Sequence, residues 1–200
     1  FVLLADDGGI RARELQRSPV FRAFSSPAGG WPGLSGVDFG ADGRRIVSGD
    51  AGGLHVWDLA DGRETAYAAT PAGTHPRFDP EGRTVVTSGR EHMERWTLEL
   101  GEAGRDRLGG PEVLYARTGE NFAHPAFSRD GRWLAAGGRM SSYIFRWGSR
   151  ERPVLLRNRR QVPGHDQVLV DPAGDWAVAA AFGGSGVTVW NARDGTLVRQ

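Results

Sequence analysis

The segment VDFGADGRRIVSGDAGGLHVWDL, residues 37–59, decides the fold because it holds three short β-rich runs separated by two turn signals. The first turn is acidic and contains Gly43, the second is Gly-rich, and the third run ends in Trp57 and Asp58. Short runs joined by Asp-Gly and Gly-Gly pairs are typical of antiparallel hairpins. The segment therefore predicts three consecutive antiparallel strands.

The same pattern recurs in three further copies, at residues 77–98, 126–147 and 168–192. Two markers identify each copy, a glycine in the acidic turn and a tryptophan at the end of the third run. The glycines are Gly43, Gly82, Gly131 and Gly174, and the tryptophans are Trp57, Trp96, Trp147 and Trp190. Both markers recur about every 40 to 50 residues, and both intervals lengthen between the same two copies, the second and the third. The chain is therefore built from internal repeats.

A fourth β-rich run follows each tryptophan, at Glu64–Ala68, Glu112–Tyr115, Pro153–Arg157 and Thr196–Arg199. Four antiparallel strands per repeat make one blade of a β-propeller. The expected blades cover residues 35–68, 74–115, 123–157 and 166–200, and residues 1–24 supply the last three strands of an earlier blade. The sequence thus predicts an all-β propeller segment of nearly five blades, part of a larger ring, with a loop insertion at Gly101–Pro111.

The composition narrows the range of functions. The absence of Cys excludes disulfides and thiolate metal sites, and all 25 basic residues are Arg. Without Lys there is no phosphate-binding loop of the usual type. A formal net charge of +1 argues against a dedicated nucleic-acid binder. No apolar run approaches the roughly 18 residues that a membrane span requires, so none is expected.

No catalytic or cofactor motif is present, and the prediction is a protein without enzymatic activity, cofactor or metal. The run GGSG at 183–186 lacks the spacing of a dinucleotide fingerprint, and Glu91–Glu94 lacks the second His of a zinc-protease helix. Five His are spread over the repeats, and His75 and His124 stand seven residues before Gly82 and Gly131. Equivalent positions on neighbouring blades can face each other at the channel, in a structural role or, alternatively, at a metal.

The repeats resemble the WD-repeat β-propeller family over essentially the whole chain. The resemblance is carried by Trp57-Asp58 and by the stretch FSRDGRWLAAGG at 127–138, while the other copies have degenerate dipeptides. Of the family's buried His, Ser/Thr, Trp and Asp network, one blade offers Ser48, Asp50 and Trp57 without a matching His. The resemblance implies a platform for protein–protein interaction or sensing, in a larger bacterial, cytoplasmic signalling protein whose remaining blades lie in the same parent chain.

The family's usual partner-binding face implies candidate contact residues. Loops between one blade's outermost strand and the next blade's innermost strand hold Trp31, Arg157, Arg159 and Arg160. Turns between second and third strands hold Arg90, His92, Arg139, Met140 and Phe182. Exposed Trp and Arg dominate interface hot spots, which favours a partner-binding role. The alternatives are a solvated Arg-rich loop and, for Trp31, a plug over the channel.

A second functional class stays open at this point, a small-ligand or enzymatic propeller that is lactonase-like or quinoprotein-like. Such a protein needs polar or metal-binding side chains that converge at the channel mouth. The innermost runs bring only Asp38, His75 and His124. A third possibility is a purely structural role, in which the blades only complete a ring.

Overall fold

A computed structural model describes residues 2–6, 9–13, 21–24, 33–71, 74–101, 105–139, 141–156, 167–180 and 186–199. Within these ranges regular structure consists of β-strands alone, and all strand pairings are antiparallel. The prediction of an all-β fold made of four-stranded antiparallel blades is confirmed. No helix among these residues is long and apolar enough to cross a membrane.

The strands group into five blades in chain order. Blade I contains β1 (Val2–Asp6), β2 (Gly9–Arg13) and β3 (Phe21–Phe24), and blade II contains β4 (Gly36–Phe39), β5 (Arg45–Gly49), β6 (Leu54–Asp58) and β7 (Glu64–Ala68). Blade III contains β8 (His75–Phe78), β9 (Thr84–Ser88), β10 (Arg90–Glu99) and the two-residue β11 (Arg107–Leu108). Blade IV contains β13 (Trp133–Gly138), β14 (Ser142–Arg146) and β15 (Val154–Leu156), and blade V contains β16 (Gln167–Val170), β17 (Trp176–Ala180), β18 (Val187–Asn191) and β19 (Leu197–Arg199). The remaining strand, β12 (Glu112–Phe127), belongs to both blade III and blade IV.

The acidic turns have one geometry in all four full blades. Gly43, Gly82, Gly131 and Gly174 have φ of 63°, 68°, 73° and 73°, the left-handed region that favours glycine. In blade III the Gly82 amide donates to the Asp79 carbonyl at 2.9 Å, and the Asp79 carboxylate accepts from the amides of Arg83 and Thr84. The feature common to the four turns is the left-handed glycine, which therefore specifies the same turn each time.

Neighbouring blades pack through their apolar faces. Val47 and Val56 of blade II meet Phe78 and Trp96 of blade III, and the later interfaces bury Met93, Phe122, Leu134, Ile144 and Trp190. Since a blade has two apolar faces and cannot cover both itself, stacking is what stabilises each one. Trp57 Nε1 donates to Ser48 Oγ and Trp96 Nε1 to Thr87 Oγ1, both at 2.9 Å, so these buried indoles are also satisfied.

The hydrogen-bond network of blade II differs from the expectation. Asp50 does have a His partner, because His55 Nε2 lies 3.3 Å from Asp50 Oδ1 while His55 Nδ1 lies 3.2 Å from Glu64 Oε1. This imidazole comes from the third strand rather than from the segment upstream of the blade. Asp58 accepts from Nε and Nη2 of Arg44 at 2.9 and 2.8 Å, which ties the Trp-Asp dipeptide to the acidic turn.

Blade IV departs from the predicted tryptophan register. Trp57, Trp96 and Trp190 pair across the sheet with Ile46, Val85 and Ala177, but the partner of the equivalent Leu134 is Phe145. Trp147 lies beyond the end of β14, and its amide donates to the Arg132 carbonyl, as the Leu98 amide does to Arg83 in blade III. Phe145 therefore takes the place that the repeat pattern assigned to Trp147.

Two connections are more ordered than the sequence predicted. β12 runs without a break from the outer edge of blade III to the inner edge of blade IV, where two strands with a connecting segment at 116–122 were expected. In the predicted loop insertion, β11 pairs with Leu98 and Glu99, and Arg45 binds the buried Asp106 through Nε at 2.7 Å. The insertion is therefore a clamp between blades II and III.

Candidate functional site

Three of the nine predicted partner-binding residues lie in the described part of the chain. Arg90, His92 and Arg139 are all exposed. Trp31, Met140, Arg157, Arg159, Arg160 and Phe182 lie outside the described residues. The three described residues share the upper end of blades III and IV, which we define as the end opposite the acidic turns.

A tight hairpin holds Arg90 and His92. The Gly89 amide donates to the His92 carbonyl at 3.1 Å, and Glu91, with φ of 64°, sits at the tip. The expected free turn is instead part of β10, because its tip pairs with the crossing part of β12: the Gly119 amide donates to Glu91 Oε1 at 2.9 Å. The hairpin is thus fixed to the next blade.

Asn121 brings Arg90 and Arg139 to the same place. Arg90 is its cross-strand partner in the β10–β12 ladder, and the Arg139 amide donates to the Asn121 carbonyl at 3.2 Å. His92 pairs with Ala116 on the same crossing segment. The structure therefore joins predicted residues from two blades, and we call Arg90, His92, Arg117, Asn121 and Arg139 the upper cluster.

A buried polar chain supports the upper cluster from below. Glu120 is 2% exposed, and its Oε2 accepts from the Tyr143 hydroxyl at 2.7 Å. Arg117 Nη1 donates to the same hydroxyl at 2.8 Å. Burial and the Glu120 carboxylate raise the pKa of Tyr143, so the phenol stays protonated and remains a donor. A Cβ at Gly138 would lie 2.5 Å from the Ser141 carbonyl oxygen and 2.9 Å from Glu120 Oε1, so the hairpin beside this carboxylate has no room for a side chain here.

The sequence missed Arg117, Glu120 and Tyr143. Each belongs to a strand whose neighbours are set by long-range pairing, and none stands in a motif. Sequence inspection alone offers no signal that would have joined them.

The innermost strands form a second surface, the inner wall, made of β4, β8, the end of β12, and β16. Arg77 connects three of its strands: Nη1 binds Asp38 Oδ1 at 2.8 Å, and Nε donates to the Pro125 carbonyl at 3.0 Å. Asp38 Oδ2 also accepts from the Phe78 amide at 2.9 Å. Asp38, the one carboxylate that the sequence offered for ligand chemistry at the channel, is therefore already occupied by an ion pair and a backbone hydrogen bond.

The lower end of the inner wall opens into a cavity of about 410 Å³. Apolar side chains from four blades line it, among them Phe39, Phe78, Phe127 and Leu169. Of its charged lining residues, Asp79 caps the acidic turn of blade III and Arg77 is paired with Asp38, while Arg129 is exposed. The hydroxyl among the lining residues, Ser128, donates to Asp130 at 2.6 Å, and that carboxylate also binds the Arg132 side chain.

His75 and His124 meet at the upper end of the inner wall. Their ring centroids are 4.3 Å apart with an interplanar angle of 53°, and His75 Nδ1 lies 2.6 Å from the Ser35 carbonyl oxygen. Burial lowers the pKa of His75, and the charge of His124 lowers it further. Both residues begin a His-Pro-x-Phe sequence, HPRF at 75–78 and HPAF at 124–127, which is a local signal for the pair.

Metal-ligand clusters of the usual size are absent from the ranges described above. These ranges hold no group of three or more His, Cys, Asp or Glu side chains arranged to bind a metal ion. No protein-family model matches the chain, and no curated protein sequence matches it either. Function must therefore be argued from the upper cluster and the inner wall.

Proposed function

We propose that this chain is a WD-repeat-like propeller region that serves as a protein-interaction or sensor platform. The observation that carries the proposal is the upper cluster, where exposed Arg side chains of two blades stand on a rigid, buried base. Arg is among the residue types that dominate interface hot spots, and its planar fork suits carboxylate partners. Loops on a rigid scaffold are the usual place for recognition.

The rigidity of the base supports recognition rather than mere solvation. Arg117 is held by Tyr143, Tyr143 by Glu120, and the Glu91 hairpin by Gly119. Side chains that are ordered before binding lose less conformational entropy when a partner arrives. At the lower cavity Asp79, Arg77 and Ser128 are already held by hydrogen bonds or ion pairs within the fold, which favours binding over catalysis.

Blade V supports the proposal that further blades belong to the parent protein. Leu54, Met93 and Ser142 are fully buried at equivalent positions of the third strands of blades II to IV, whereas Val187 at the same position of blade V is 55% exposed. Leu169 and Trp176 are exposed on the same face. A further blade would cover this face as the corresponding faces of blades II to IV are covered. The bacterial, cytoplasmic and signalling context rests on the family resemblance alone.

Charge reversal tests the platform. The double variant Arg90→Glu/Arg139→Glu should lose partners that co-purify with the parent protein and are released by salt. The matched control is Arg83→Glu/Arg129→Glu, which makes the same charge change on exposed residues at the lower end. Thermal unfolding of both variants establishes that they fold. Equal partner recovery by the two variants would show that the upper cluster is not the binding surface.

A further inference from the structure

The His75–His124 contact joins two imidazoles from neighbouring blades at one level of the inner wall. Because His75 Nδ1 donates to the Ser35 carbonyl at 2.6 Å, the lone pair of the neutral ring is on Nε2. A hydrogen bond from one ring nitrogen to a backbone carbonyl is also the arrangement that orients metal-ligating His in proteins. This imidazole is therefore oriented, with Nε2 available as a ligand.

A β-bulge brings His124 to His75. The β12–β13 ladder shifts register between Ala123 and Ala126, and His124 within that shift has φ of 42°. Bulges turn a side chain away from the direction that strand alternation gives it. The same bulge presents the Pro125 carbonyl to Arg77 at 3.0 Å, which fixes the bulge to β8. A left-handed non-glycine residue held this firmly indicates a functional constraint.

Ser88 places a polar group beside His75. It is the direct cross-strand partner of His75, so the two side chains share one face of blade III, the face turned towards blade IV. Ser88 is 1% exposed, and its hydroxyl has no hydrogen-bond partner among the described residues. A buried hydroxyl without a partner is costly and calls for an explanation.

We propose that His75 and His124 bind one divalent late transition-metal ion, with a metal-bound water hydrogen-bonded to Ser88. Imidazole nitrogen suits Cu²⁺, Ni²⁺ and Zn²⁺, and Cu²⁺ binds most tightly in that series. Two protein ligands leave the remaining coordination positions to water or to a small anionic molecule. Hard ions such as Ca²⁺ and Mg²⁺ do not fit, because they prefer oxygen ligands, and Asp38 of the inner wall is paired with Arg77. This site is independent of the proposed interaction function.

Copper titration of the 200-residue chain, freed of metal by a chelator, tests the site. We expect one Cu²⁺ per chain, with an electron paramagnetic resonance spectrum that shows coupling to two imidazole nitrogens. His75→Ala or His124→Ala removes a ligand, so affinity should fall by more than the roughly 10–100-fold that loss of a hydrogen-bonding neighbour costs. His92→Ala, which removes an exposed imidazole on the same blade, should leave affinity unchanged.

A double His variant and a Ser88 variant separate binding at this site from binding elsewhere on the chain. The His75→Ala/His124→Ala variant gives the background from all other groups, and binding equal to wild type would overturn the proposal. Ser88→Ala should leave thermal stability equal or higher, because it removes an unpartnered hydroxyl, yet weaken Cu²⁺ binding. If the His variants do not fold, the wild-type spectrum decides: two coupled nitrogens support the site, and one or none excludes it.

Discussion

Gly49 shows how a single residue sets the spacing between two blades. A Cβ at this position would overlap the Thr74 carbonyl oxygen and lie 3.0 Å from Pro76 Cδ. Gly49→Ala should lower the free energy of unfolding by about 1–3 kcal/mol, the usual cost of overpacking a core. Gly110→Ala is the matched control, because a Cβ there meets nothing within 4 Å. Urea denaturation measures both, and equal stability of the two variants would contradict the prediction.

His75 should make the stability of the protein depend on pH. Its pKa is lowered in the folded state, whereas the unfolded chain has the ordinary value near 6.5. Below pH 6.5 the unfolded state therefore binds more protons, so the free energy of unfolding falls as the pH drops through 6.5. Above that pH His75 contributes no slope.

The pH prediction is checked by denaturation between pH 5 and 8. His75→Gln should remove this part of the slope, while His92→Gln, at an exposed position, should leave it. A slope that persists unchanged in His75→Gln would assign it to other groups, among them the facing His124.

Single residues were predictable where the backbone demanded one residue type. The four turn glycines could be found because each turn needs a left-handed residue. Trp147 was assigned wrongly because a repeat marker carries no information about register, and Phe145 pairs with Leu134 instead. The contact between His75 and His124 followed from repeat equivalence, but the bulge that makes it could not be derived from strand alternation.

At the scale of elements, the insertion around β11 acts through one buried ion pair. The side chain of Asp106 is 0% exposed and binds Arg45, whose Nη1 also binds Asp42 at 2.6 Å. In Asp106→Ala, Arg45 would lose its buried partner, so the free energy of unfolding should fall by about 3–5 kcal/mol. The surface pair Arg95–Glu112 is the control, and Glu112→Ala should cost about 1 kcal/mol or less. Urea denaturation compares them, and a loss near 1 kcal/mol for Asp106→Ala would refute the clamp.

The connections were the least predictable elements. Gly101–Pro111 is Gly-rich and charged and has no periodicity, which is the local pattern of a loop, yet Leu108 packs, partly buried, against the core between blades II and III. The crossing part of β12 becomes a strand because it pairs with the tip of the β9–β10 hairpin. Both outcomes depend on partners distant in sequence, which local patterns do not encode.

At the scale of the whole molecule, the exposed face of blade V should govern association. Leu169, Trp176 and Val187 expose apolar surface that the corresponding faces of earlier blades bury, and such patches promote self-association. The 200-residue chain should therefore self-associate reversibly in sedimentation experiments, and Leu169→Ser/Val187→Ser should reduce this. Val113→Ser, at a Val that is 53% exposed on blade III, should not. Association that is insensitive to both changes would place the contact elsewhere.

The strand shared by blades III and IV changes how the array comes apart. In a stack of separate repeats, units can open one at a time. The hydrogen-exchange protection of each amide then reports the free energy of opening its own unit. Because β12 pairs with strands of both blade III and blade IV, these two blades should open as one cooperative unit. Hydrogen exchange should then give the amides of β9 and β13 a common opening free energy, distinct from that of β17. Separate values for β9 and β13 would mean that one half of the strand detaches while the other stays paired.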